Sequence, residues 1–206
     1  MILAIHLGSG ETSAKKLDSC DSNCLFCGIL PRAVFSKVIT RREGDDFKAQ
    51  WYSSQLKALQ EPSLFELTKV PDLESYRFLW LRTFNHSIAI RVDIKTDGTG
   101  VLTTKVANGA GGFRPGVLIV NTTRILTKEE VQAILLRVSK FDFWQATNPV
   151  DDQTGTDGSQ WVIEGVKKGQ YHVVDRWMPK SGIARELGLL LVIDLAKLDV
   201  PKKDIY

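Results

Sequence analysis

The stretch DGSQWVIEGVKKGQYHVVDRWMPK, Asp157–Lys180, decides how the rest of the chain is read. On either side of Val166-Lys167-Lys168-Gly169 the residues alternate as two strands of a hairpin do. A glycine at the fourth place suits a type I turn closed by a left-handed residue, which gives a three-residue loop. That loop predicts Val166 opposite Gln170, Glu164 opposite His172, Val162 opposite Val174 and Gln160 opposite Arg176. Strand side chains alternate with period two, so the other face carries Trp161, Ile163, Gly165, Tyr171, Val173, Asp175 and Trp177. The first face is mixed. The second is apolar, with Asp175 stranded among aromatic rings.

Outward from the hairpin, strands dominate. Tyr76, Phe78, Trp80, Arg82 and Phe84 alternate with Arg77, Leu79, Leu81 and Thr83, an apolar pattern on both faces that predicts a central strand. Ile88 to Ile94 reads as a half-buried strand, and Lys95-Thr96-Asp97-Gly98 repeats the turn grammar before its partner, Val101 to Val106. Asn108 to Gly116 is a glycine-rich loop, followed by a short strand from Val117 to Asn121. Thr127 and Glu130 form a capping box, with Leu126 and Val131 placed to staple the start of a helix. Residues Ile183 to Leu198 predict a second, buried helix. Trp51 to Leu59 predicts a short helix stopped by Pro62, with one more turn within Ser63 to Lys69. The order predicts an α+β fold: an antiparallel β-sheet of hairpins with two main helices packed on one face. The stretch TRREGDD, Thr40 to Asp46, reads as a boundary. Residues 1–46 are then an N-terminal segment with little readable pattern, and 47–206 a single α+β domain.

The 206 residues are 43% hydrophobic and include five tryptophans, enough for one substantial core. A net charge of +3, from 27 basic and 24 acidic residues, gives no basic stripe for nucleic acid. No run of about 18 apolar residues predicts a transmembrane helix. The opening MILAIHLGSG lacks the basic flank of a signal peptide, so the sequence resolves neither a cytoplasmic nor an exported location.

From roughly Trp51 onward the chain resembles a group of bacterial proteins with no assigned activity. The resemblance is carried by WYSSQLKAL, YRFLWLRTF, DGTG, AGGF, LTKEEV leading to FW, YHVVDRW and ELGLLL. It implies the domain boundaries and assigns no catalytic residue.

Cys20, Cys24 and Cys27 spell CxxxCxxC, which resembles the thiolate set that holds an iron–sulfur cluster in radical S-adenosylmethionine enzymes. The repeated βα units of those enzymes are missing, and a zinc site would need a fourth ligand beyond His6. Spacings of four and three also put small core residues on one helical face, so no metal or cofactor is expected. Gly109, Gly111 and Gly112 precede a strand rather than a helix, which excludes a phosphate loop, although Arg114 beside them is a candidate anion contact. Arg176, on the mixed face, is the other candidate binding residue. Glu164 and His172, as cross-strand neighbours, have the residue types of an oriented general base, but nothing in the sequence places a nucleophile beside them. Asp175 requires a buried partner, and Arg82, also on an apolar face, is the expected one, with the indole of Trp161 second. The sequence therefore predicts a non-enzymatic binding or interaction domain taking a protein or small-molecule ligand. A small hydrolase built on Glu164 and His172, and a metal protein built on the cysteines, are its alternatives.

Overall fold

A computed structural model describes residues 43–148 and 157–206, with side chains from Phe47 onward. Its centre is β1 (Glu74–Arg82), nearly all of it buried, as a strand apolar on both faces must be. The neighbouring strands are β2 (His86–Ile94), β3 (Gly100–Ala110), β4 (Leu118–Leu126), β5 (Ser159–Lys167) and β6 (Gln170–Trp177). They form one sheet of order β4-β3-β2-β1-β5-β6, and every neighbouring pair is antiparallel.

The two main helices lie on one face of this sheet. Helix α2 (Lys128–Lys140) turns Val131, Ile134 and Val138 inward, and α3 (Ile183–Leu189) does the same with Ile183, Ala184 and Leu187. Both meet Tyr76, Phe78, Trp80, Ile90, Trp161 and Ile163 in a single core. The capping box at α2 is present: the Thr127 side chain accepts from the Glu130 N–H, and the Glu130 carboxylate accepts from the Thr127 N–H at 2.9 Å. Close approach of α3 depends on Gly188, where a Cβ would stand 2.8 Å from Cε3 of Trp161. Beyond α3 the chain widens into a π-helical turn, Leu190–Leu195, which keeps Leu190, Leu191, Val192 and Leu195 in the core.

The opposite face is covered as well. Helix α1 (Glu43–Ala58) lays Tyr52 and Leu56 against Leu79, Leu81, Ala89, Val162 and Val173, and Leu59 beyond its end joins them. The helix starts inside the stretch read as a boundary. β4 is longer than expected because Thr122, Thr123 and Ile125, all β-branched, continue to pair with β3. No helix among the described residues is long and apolar enough to cross a membrane.

The hairpin register differs from the expected one by a residue. Lys167 pairs with Gln170, so the turn has two central residues, Lys168 and Gly169, with φ of 49° and 75°. Positive φ at both is the type I′ geometry, whose twist matches that of the strands. Glu164 therefore lies opposite Val173, and His172 opposite Gly165. A one-residue shift exchanges the faces. Glu164 and Asp175 now share the face toward α1, while His172 and Arg176 turn to the other.

Candidate functional site

The face beneath α1 concentrates charge among apolar residues. Arg77, on β1, is wholly buried and meets one carboxylate oxygen with two of its nitrogens: Nε donates to Glu164 Oε2 at 2.7 Å, and Nη2 stands 2.5 Å from the same oxygen. Nη1 donates to the Pro62 carbonyl at 2.7 Å and to Glu61 Oε2 at 3.3 Å. Glu61 in turn accepts from Arg91 Nε at 3.1 Å and Lys105 Nζ at 2.9 Å. Tyr171 donates its hydroxyl to Glu164 Oε1 at 2.8 Å. Burial opposes the charge on Arg77, but Glu164 and then Glu61 outweigh it and raise its pKa. Burial, followed by the charge of Glu164, holds the Tyr171 phenol protonated well above its ordinary range. Each charge here has an opposite charge in contact. The cluster fastens the loop after α1 to the sheet.

Asp175 belongs to the same face and is 3% exposed. Its carboxylate accepts from Lys48 Nζ at 3.0 Å, from the Tyr52 hydroxyl at 3.1 Å and from Gln160 Nε2 at 2.8 Å. The expected partnership with Arg82 does not form, because Arg82 shares the Trp80 side of β1 and so lies across the sheet. The Trp161 indole also faces away, donating to Ser159 Oγ and the Tyr206 carbonyl, each at 2.8 Å. Asp175 is buried as expected, but on the α1 side with Glu164 and Gln160 rather than among Trp161 and Ile163. Its partners were not legible in the sequence, since two of them come from α1.

The Glu164–His172 pair is excluded by the register. His172 lies on the α2/α3 side, edge-on to Phe143 at 5.0 Å, with Nε2 2.9 Å from the Ala146 carbonyl. Arg176 is bound to Asn148 Oδ1 at 2.8 Å and to the Thr147 carbonyl at 2.7 Å, so it fixes the segment beside β6. Arg114 is exposed on the glycine-rich loop. That loop is tied to α1 instead: the Gly111 carbonyl accepts from Trp51 Nε1 at 2.7 Å and Gln55 Nε2 at 3.1 Å. Cys20, Cys24 and Cys27 lie outside the described residues. Among the described residues no three His, Cys, Asp or Glu side chains gather as metal ligands.

Arg82, the last residue of β1, occupies the other chemically unusual position. It is 5% exposed and opens onto a cleft of about 340 Å³ between the β1–β2 turn and the C-terminal segment from Leu198. The guanidinium carbon lies 4.3 Å above the Trp80 ring. Its only hydrogen bonds among the described residues are long, 3.4 Å each, from Nη1 to the Asp204 carbonyl and from Nη2 to the His86 carbonyl. The Nε–H is buried without an acceptor, as is the indole N–H of Trp80. Burial lowers the Arg82 pKa, with partial opposition from Tyr206 and then Asp204. Ile88, Val106, Leu198 and Val200 supply apolar walls, and Asp199 and Asp204 stand at the rim.

No family model matches the chain, and no curated protein is significantly similar to it.

Proposed function

We propose that the domain is a non-enzymatic binding module whose ligand site is the cleft at Arg82. The observation that carries this reading is a buried guanidinium lining an open concavity with no carboxylate among the described residues in contact. An unpaired buried cation costs several kcal/mol, and proteins keep such groups where a ligand completes them. The contrast with the α1 side supports the reading: among the described residues, Arg77, Glu61, Glu164 and Asp175 each have an opposite charge in contact there. The Glu164–His172 geometry gives a hydrolytic reading no support.

Filling the cleft tests the proposal. A ligand-observed magnetic resonance screen of small amphiphilic molecules against the full chain is expected to return binders that Val106→Trp abolishes. Binders unaffected by that substitution, with the variant still folded, would place the binding site elsewhere and overturn the reading.

A further inference from the structure

We infer that the ligand of this cleft is an organic monocarboxylate with an apolar body, its carboxylate accepting from the Arg82 guanidinium. The inference rests on the cleft being the binding site, and it adds the ligand's chemical class. Arg82 sits at the end of a buried strand with a charge that no carboxylate among the described residues contacts. Its two hydrogen bonds are at 3.4 Å, long for N–H···O, and are readily exchanged for charge-assisted bonds of about 2.7–2.9 Å. A guanidinium presents its donors in a planar fork that matches the two oxygens of a carboxylate.

Two further features narrow the class. Four of the lining side chains, Ile88, Val106, Leu198 and Val200, are aliphatic and give a hydrocarbon body walls to rest on, while Asn85 and His86 beside Arg82 keep the mouth polar. Asp199 and Asp204 also line the cleft. Their charges repel an anion approaching the rim, and the repulsion grows with the charge carried, so a single carboxylate is tolerated better than a phosphate dianion. The buried indole N–H of Trp80, whose ring lies under the guanidinium, is a built-in reporter of what happens at Arg82.

Three probes separate the possibilities: 4-phenylbutyrate, its neutral amide 4-phenylbutyramide, and inorganic phosphate, each titrated into ¹⁵N-labelled full chain. The Trp80 indole and the Ile88 and Val106 amide resonances are followed. The acid is expected to bind about tenfold or more tightly than the amide, and phosphate to leave these signals unmoved. Arg82→Gln is expected to erase the acid's advantage, and Val106→Trp to abolish binding of both organic probes. Should Arg82→Gln fail to fold, the acid–amide difference in the parent chain still decides. Equal affinities for acid and amide, both lost in Val106→Trp, overturn the carboxylate inference and leave the binding site standing. Site-specific shifts with phosphate alone overturn it in favour of an inorganic anion. No shift from any probe at millimolar concentration overturns the inference together with the site it rests on.

Discussion

Arg77 and Arg82 stand five positions apart on one strand, and both are almost fully buried, yet the protein treats them in opposite ways. Arg77 faces α1 and is enclosed by Glu164, Glu61 and a backbone carbonyl. Arg82 faces the other side, stacks on Trp80 and, among the described residues, hydrogen-bonds only two distant carbonyls. An odd separation along a strand puts two residues on opposite faces, so one is served by the polar clasp under α1 and the other is left to the cleft. A buried charge whose partners are all internal holds the fold together. One without such a partner is where the proposed ligand would complete it. Burial alone does not distinguish the two; the partner set does.

Removing Arg77 is the largest predicted perturbation. Arg77→Met leaves Glu164, fully buried, with the Tyr171 hydroxyl alone among the described residues, and is expected to destabilise by about 3–5 kcal/mol in denaturant titration. Adding Glu164→Leu is expected to recover part of that loss, with a coupling of about 1–3 kcal/mol in the double-mutant cycle. Purely additive losses would show that the pair is not the unit described here.

The second perturbation concerns the attachment of α1. Asp175→Ala strips the acceptor from Tyr52, Gln160 and Lys48, of which Lys48 keeps 21% of its side chain in water. The expected cost is about 2–3 kcal/mol. Hydrogen exchange should localise the loosening to α1. A loss below about 1 kcal/mol, or loosening confined to β6, would remove Asp175 from the clasp.

These residues also show what the sequence makes legible. Local signals carried far: the capping box at Thr127 and Glu130 and the central position of β1 are read from residue type and spacing. The hairpin turn did not. Lys95-Thr96-Asp97-Gly98 and Val166-Lys167-Lys168-Gly169 share one pattern but close differently. In the first, the Lys95 N–H donates to the Thr99 carbonyl at 2.8 Å across three residues, and Asp97 Oδ1 accepts from the Thr99 N–H at 2.9 Å. The second has no such side chain to hold a type I turn, and it takes the two-residue form with Lys168 at positive φ. That single-residue difference moved Glu164 and His172 to opposite faces. The clasp was hidden for another reason. Lys48, Tyr52, Gln55 and Glu61 are distant in sequence from the residues they serve, and the expected register puts Glu164 on the mixed face, so only Arg77, sharing a face with Leu79 and Leu81, offers a sign that a partner is needed.

Alkaline titration sharpens the comparison at a smaller scale. The Tyr171 and Tyr76 phenols are both held protonated above the ordinary tyrosine range, each by burial first and then by its carboxylate neighbour, Glu164 or Glu74. Their pKa values are raised in the folded state, so their contribution is complete below about pH 10 and declines as the unfolded chain alone loses its protons. Each is expected to lower stability by about 1.4 kcal/mol per pH unit above that point. Tyr171→Phe should reduce the slope by that amount. A phenolate absorbance from Tyr171 while the protein is still folded near pH 10 would show that its hydroxyl is not sealed against Glu164.

The smallest predicted effect is the most diagnostic. Arg82→Met removes a buried positive charge that no carboxylate among the described residues contacts, and that relief favours folding. It also removes the stacking over Trp80, typically about 0.5–2 kcal/mol, and two hydrogen bonds already long at 3.4 Å. A methionine retains much of the aliphatic stem's packing against the same neighbours. The opposing contributions are of similar size, so the variant is expected to keep its stability to within about 1 kcal/mol, in contrast to Arg77→Met on the same strand. A loss approaching that of Arg77→Met would make Arg82 a structural residue whose carbonyl contacts matter more than their lengths imply, and the two arginines would no longer be different in kind. Near-neutrality, measured on the same instrument and in the same buffer as Arg77→Met, would mean that the fold does not need this charge. Its place at the floor of the cleft would then be explained by what binds there.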